Sequence, residues 1–132
     1  MSNQNSLSTA ARLRGKLPYP LHPLAELAFN LWWSWSPERL SIFSSIESQK
    51  WEQYRHNPVK LLDTVSNERL TQLATDPYYC KRVELIAAEF EQYIKQTNTW
   101  ANQVAPQITS EQPVAYFSIE FGFAQYLPTY SG

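Results

Sequence analysis

Apolar residues recur along this chain with a helical period, and prolines cut the pattern into short lengths. From Pro23, the positions Leu24, Leu27, Ala28, Leu31, Trp32 and Trp35 form one continuous stripe, which predicts a helix over 23–35. Three capping residues stand directly before proline: Ser36-Pro37, Asn57-Pro58 and Asp76-Pro77. Ser, Asn and Asp side chains accept hydrogen bonds from the first free N–H groups of a helix. A proline at the first helical position lacks an N–H that would be orphaned there. Each pair therefore predicts a helix start, and His22-Pro23 predicts an earlier one with a poorer cap. After Pro37, Leu40, Phe43 and Ile46 point inward, and Trp51 and Tyr54 fall on a turn or short helix. Pro58 opens a segment carrying Val59, Leu61 and Leu62, and Ser66 caps another carrying Leu70 and Leu73. The longest predicted helix covers 77–95, with Val83, Ile86, Ala87, Phe90, Tyr93 and Ile94 as its inward stripe.

The pattern then changes. Residues 97–113 hold Asn98, Asn102, Pro106, Ser110 and Pro113 with little periodicity, and read as a linker. Val114 to Ile119 reads as a β-strand whose two faces, Val114/Tyr116/Ser118 and Ala115/Phe117/Ile119, are both mostly apolar. Such a strand belongs inside a sheet covered by helices on both sides, and one strand cannot satisfy its own backbone groups. The expected fold is mainly α: a small helical bundle, then the first strand of an incomplete α/β domain. The layout is a disordered tail over 1–17, a helical domain over 18–96, a linker over 97–113, and the start of a second domain over 114–132. The ending reads as the front end of a larger protein.

Composition narrows the function. The 132 residues are 43% hydrophobic and 17% charged, a globular balance that can bury a real core. A net charge of −1 offers no basic surface, so nucleic acid is not an expected partner. One cysteine, Cys80, leaves no internal disulfide framework and suits a reducing cytoplasm. With only His22 and His56 beside it, a zinc site is not expected. No apolar run is long enough to span a membrane. The first 16 residues are rich in Ser and Asn and carry Arg12, Arg14 and Lys16 without acids; a transit peptide has the same composition as a basic tail.

Candidate chemistry is sparse. The Leu31-Trp32-Trp33-Ser34-Trp35 run could form a carbohydrate platform, but tryptophans at helical spacing more often fill a core. Trp32 and Trp35 continue the stripe, which leaves Trp33 as the surface candidate. His56, just before the Asn57-Pro58 cap, shows no oriented partner and reads as structural. Glu26 and Glu38 could pair across helices, and Glu89 and Glu91 read as a solvated face. Glu120 is different, because it closes the predicted strand, and α/β folds bind ligands at the carboxyl ends of strands.

Several runs resemble a known family. Leu24-Ala25-Glu26-Leu27-Ala28-Phe29-Asn30-Leu31-Trp32-Trp33-Ser34-Trp35, Trp51-Glu52 and His56-Asn57-Pro58-Val59 resemble the opening of the shorter bacterial and archaeal α-glucan (glycogen/maltodextrin) phosphorylases. Tyr116-Phe117-Ser118-Ile119-Glu120-Phe121-Gly122 and Leu127-Pro128-Thr129-Tyr130-Ser131-Gly132 look like the start of their catalytic domain. The resemblance begins at about residue 18. It implies two Rossmann-like domains in the GT-B arrangement, pyridoxal 5′-phosphate as cofactor, and phosphorolysis of terminal α-1,4-glucosyl residues to glucose 1-phosphate. It also implies that the phosphate group of that cofactor, rather than its aldehyde carbon, takes part in proton transfer. Glu120 matches a glutamate at the floor of the sugar site. Gly132 matches the first glycine of a loop that brings backbone N–H groups to sugar and phosphate, where a Cβ would block the approach. The family's cofactor lysine, phosphate-binding cations and sugar-contacting acids lie further along. The resemblance thus implies the N-terminal portion of such an enzyme, inactive and without bound cofactor by itself, with α-glucan, phosphate and the remainder of the enzyme as partners. The alternatives are a helical interaction or glucan-binding module, or a remnant without function.

Overall fold

In the computed structural model, residues 2–109 and 111–115 are described, with side chains from residue 9 onward. Among them the chain forms eight α-helices: α1 (Ser2–Lys16), α2 (Pro23–Leu27), α3 (Pro37–Ser44), α4 (Ser48–Gln53), α5 (Pro58–Thr64), α6 (Asn67–Thr75), α7 (Pro77–Ile94) and α8 (Trp100–Val104). Two 3₁₀ turns, Tyr19–Leu21 and Leu31–Trp35, connect the early helices. The mainly α expectation holds. The predicted strand lies outside the described residues except for Val114 and Ala115, which carry no regular structure.

The proline-marked starts behave as the cap chemistry requires. The Ser36 hydroxyl accepts from the Arg39 N–H, Asn57 from the Lys60 N–H at 2.9 Å, and Asp76 from the N–H groups of Tyr78 and Tyr79. Ser66 caps α6 through the Arg69 N–H. His22 makes no side-chain cap to α2; its ring instead meets the Leu17 carbonyl at 3.0 Å.

α7 is the spine, packing on α2, α3, α6 and the first 3₁₀ turn, while α1 packs on α2 and α5. The core draws a few buried side chains from each element, among them Leu24, Phe43, Leu61, Leu62, Leu70 and Val83. Short helices like these have little stability in isolation, so the shared core holds them. Each fully buried side chain of this size stabilises by roughly 1.5–3 kcal/mol. Two side-chain polar groups lie in this core among the described residues, the Trp33 indole N–H, which has no hydrogen-bond partner, and the Tyr79 hydroxyl, which has one. The Tyr79 hydroxyl donates to the Ile42 carbonyl at 2.7 Å, tying α7 to α3, and burial pushes its pKa up from the usual phenol value. Tyr79→Phe should cost about 1–2 kcal/mol in urea denaturation, because it leaves that carbonyl without its donor. An unchanged midpoint would show that the bond adds nothing.

Three sequence expectations need correction. The helix expected over 23–35 is broken. Phe29 and Asn30 close with i−3 bonds to Glu26 and Leu27, and Asn30 turns extended to cap the second 3₁₀ turn through the Trp32 N–H. This break sends two consecutive tryptophans to opposite sides. Trp32 packs toward Phe90 and Tyr93 of α7, and Trp33 packs on Phe43 and Trp51. Trp33, the expected surface residue, is therefore buried, and Trp35 is 67% exposed.

The second correction concerns the tail over 1–17, which is helical as α1 and buries Leu13 and Leu17. Its basic residues are anchors. Lys16 donates to the carbonyls of Leu62, Asp63 and Val65, capping the end of α5. Arg12 reaches Asp63 at 2.6 Å, and Arg14 reaches Glu26 at 2.6 Å. The bond from Arg12 holds the Asp63 carboxyl below its ordinary range.

The third correction is that Tyr93 and Ile94, expected inward, are 43% and 58% exposed, Tyr93 packing only against the rings of Trp32 and Trp35 among its ring partners.

Candidate functional site

The most unusual surface lies where the second 3₁₀ turn meets α3 and α7. Phe90, Trp32, Tyr93 and Trp35 form a continuous series of rings running from the core to solvent. Centroid separations are 5.4 Å for Trp32–Phe90, 6.0 Å for Trp32–Tyr93 and 5.9 Å for Trp35–Tyr93. The last pair stands nearly perpendicular, at 88°. Arg39 of α3 lays its guanidinium 3.7 Å from the centroid of Trp32 and closes on Glu89 of α7 at 3.2 Å. The cation thereby covers a buried ring and is neutralised by a carboxylate. Beside this, a shallow groove between α3 and α7 is lined by Ser41, Tyr78, Arg82, Leu85 and Glu89.

A larger groove of about 950 Å³ lies on the opposite flank of α7, against α2 and the first 3₁₀ turn. Its floor includes Leu27, Ala87 and Phe90. Its three cations are each paired with a carboxylate: Arg14 with Glu26, Lys81 with Glu84, and Lys95 with Glu91. The hydrogen bond from Lys95 lowers the Glu91 pKa below its ordinary value. A rim whose charges cancel in this way has no fixed charge with which to grip an anion. Cys80 borders the same groove, half-buried, with its thiol 3.4 Å from the Leu73 and Ala74 carbonyls.

The other sequence candidates separate in space. Glu26 pairs with Arg14 rather than with Glu38. Glu38 sits in the first turn of α3, where the Ser36 hydroxyl, its own N–H and then Arg39 lower its pKa. His56 follows Arg55 in the left-handed region, at φ 65° and 51° respectively. Its ring stacks on Trp51 at 5.1 Å and reaches the Glu52 carboxylate at 3.1 Å, a contact that holds the turn. Glu120 and Gly132, the two expected substrate contacts, lie outside the described residues. Sequence reasoning missed the roles of Arg39 and Trp35, since both depend on the break at Asn30. Among the described residues no three metal-ligating side chains cluster, and no helix is long and apolar enough to cross a membrane.

This arrangement is a helical scaffold with two grooves and one aromatic edge. The chain belongs to the family described as a protein of unknown function, DUF3417, whose model matches residues 17–127. It is also similar to the N-terminal region of named enzymes. It is 36% identical over 121 residues, 92% of the chain, to the maltodextrin phosphorylase of Thermococcus litoralis. It is 36% identical over 123 residues, 91% of the chain, to the glycogen phosphorylase of Mycobacterium tuberculosis. The glycogen phosphorylase of Aquifex aeolicus is 27% identical over 109 residues, 83% of the chain and 15% of that protein. The chain spans only 14% of the length of the first two relatives. No solved structure matches it.

The described residues do not fit a pyridoxal phosphate cradle, which would need a lysine amine beside cations free to hold the phosphate. Lys16 caps α5, and Lys50 pairs with Glu47 and donates to the Thr64 carbonyl. Lys60 lies over the Tyr54 ring, and Lys81 and Lys95 are paired as above.

Proposed function

We propose that this chain is the N-terminal helical part of an α-glucan phosphorylase, an enzyme that transfers a terminal α-1,4-linked glucosyl residue to inorganic phosphate and yields glucose 1-phosphate. The observation that carries this reading is the 36% identity, over 92% of the chain, to a protein named a maltodextrin phosphorylase. The dispersed and paired lysines support a division of labour, in which pyridoxal phosphate is held by the rest of the enzyme, outside these helices. The helical domain supplies rigidity and surface. Glu120 would accept hydrogen bonds from a sugar hydroxyl, and Gly132 would open a loop whose backbone N–H groups approach sugar and phosphate. Residues 1–132 by themselves would turn over no glucan, and the compartment of action is the cytoplasm.

The test is a joined protein: residues 1–132 followed by the part of the Mycobacterium tuberculosis glycogen phosphorylase beyond its matched region. It should release glucose 1-phosphate from maltodextrin and phosphate, whereas residues 1–132 alone should not. A joined protein that folds but gives no product, or turnover by the isolated chain, would overturn the reading.

A further inference from the structure

We infer that the α3–α7 edge, carrying Trp35, Tyr78, Leu85 and Tyr93, is the surface on which the catalytic body of the phosphorylase packs. This rests on the function proposed above and assigns it a specific face.

Tyr78, Leu85 and Tyr93 are 7 and 8 residues apart on α7, so they share one side of the helix. At 1.5 Å per residue that stripe runs for about 22 Å. Tyr78 is 73% exposed, Leu85 53% and Tyr93 43%, and Trp35 extends the stripe at its far end. Exposed aromatic and aliphatic side chains grouped on one side of a helix, with charged residues between them, fit an interaction surface. Of the charges beside it, Arg39 pairs with Glu89, Glu38 accepts from the Ser36 hydroxyl, and Arg82 bonds the Ser41 hydroxyl and approaches the Tyr78 ring without an ion-pair partner among the described residues. A body that covers the face must therefore meet Arg82 with an acceptor, and Tyr, Trp and Arg are the residues that dominate the centres of protein interfaces.

Two observations select a protein occupant and, among proteins, the catalytic body. A sugar stacks on free aromatic faces with hydrogen-bonding groups beside them, but Trp35 and Tyr93 meet edge to face, and Arg39 and Glu89, the charged pair beside these rings, are already bonded to each other. The relatives are also about seven times the length of the stretch matched here, and the polypeptide leaves α7 beside Tyr93 and Ile94. Beyond that point Trp100, Val104, Ile108 and Val114 are exposed as well. A body joined to this end meets the face at high effective concentration.

Hydroxyl-radical footprinting of the isolated chain and of the joined protein described above tests this directly. Trp35, Tyr78 and Tyr93 should be oxidised in the isolated chain and protected several-fold in the joined protein. Tyr19, 83% exposed and bordering the opposite flank of α7, should react equally in both. Leu85→Gln should leave the thermal midpoint of the isolated chain unchanged and lower that of the joined protein. Equal oxidation of the three rings in both proteins overturns the inference, and so does a joined-protein midpoint indifferent to Leu85→Gln. So does protection of Trp35 and Tyr93 in the isolated chain on adding maltodextrin, which would make the edge a glucan site. Protection that rises with the chain's own concentration would make it a self-association surface and would equally overturn the inference. A joined protein that is active but unprotected removes only this face and leaves the phosphorylase reading standing.

Discussion

Replacing Trp51 with alanine should destabilise the helical domain by about 3–5 kcal/mol, the cost of emptying a large aromatic site in a core. The ring is 2% exposed and lies at the centre of an aromatic cluster. It stacks on Phe43 at 6.2 Å with a 9° tilt, meets Trp33 edge-on at 5.8 Å, and carries the His56 ring at 5.1 Å on its other side. α4, which presents it, is six residues long and has no side-chain cap. Trp51 is thus what attaches α4 to the bundle. Its loss also frees His56, whose ring contact helps hold two consecutive left-handed residues. Domains of this size are stable by about 5–15 kcal/mol, so the midpoint should fall on the order of 15 °C or more in a thermal melt. Trp35→Ala removes the same side chain from the same protein, but at a 67% exposed site that touches Tyr93 alone among ring partners. It should cost less than about 1 kcal/mol. Equal shifts for the two variants would mean that the Phe43–Trp51–Trp33 cluster is not the centre of the fold.

The contrast between these two tryptophans shows where sequence reasoning succeeds. Signals confined to two or three adjacent residues were legible, because they act before any tertiary contact forms. The Ser36-Pro37, Asn57-Pro58 and Asp76-Pro77 starts and the Ser66 cap all stand where cap chemistry puts them. The extent of α7 was legible for the same reason, through an unbroken stripe ending near Ile94. The tryptophan run was not. Its orientation is set by the extended Asn30, and nothing in a helical stripe announces that the helix stops at Leu27 and restarts as a 3₁₀ turn. A stripe also records only which side of a helix is apolar. It does not record where the neighbours end, so Tyr93 and Ile94 read as core and are found at an edge. The family was legible from the Trp and His-Asn-Pro motifs. Of the site, Glu120 and Gly132 lie outside the described residues, while the surface proposed for docking needs three elements brought together and has no contiguous motif.

Leu13→Ala gives the sharpest test of the region the sequence left as a tail. Leu13 is 0% exposed, and α1 packs on α2 and α5. Removing its side chain should cost about 2–5 kcal/mol, while Leu13→Met, which keeps the volume, should cost less than about 1.5 kcal/mol. The pattern distinguishes packing from propensity, because alanine is the better helix former of the two replacements. An α1 held only by its own helicity would therefore be strengthened by alanine. The polar anchors lead to the same expectation. The ion pairs from Arg12 and Arg14 are solvent-exposed, and such pairs are worth at most about 1 kcal/mol each. They orient α1 but do not hold it down against solvent. Lys16 is better placed, with its amine shared among three carbonyls at the end of α5. Even so, those carbonyls have water as an alternative partner, whereas the hydrophobic contacts of Leu13 have none. Urea denaturation of the two variants beside the parent chain checks this, and midpoints within error of the parent for both would return residues 1–17 to the status of a tail.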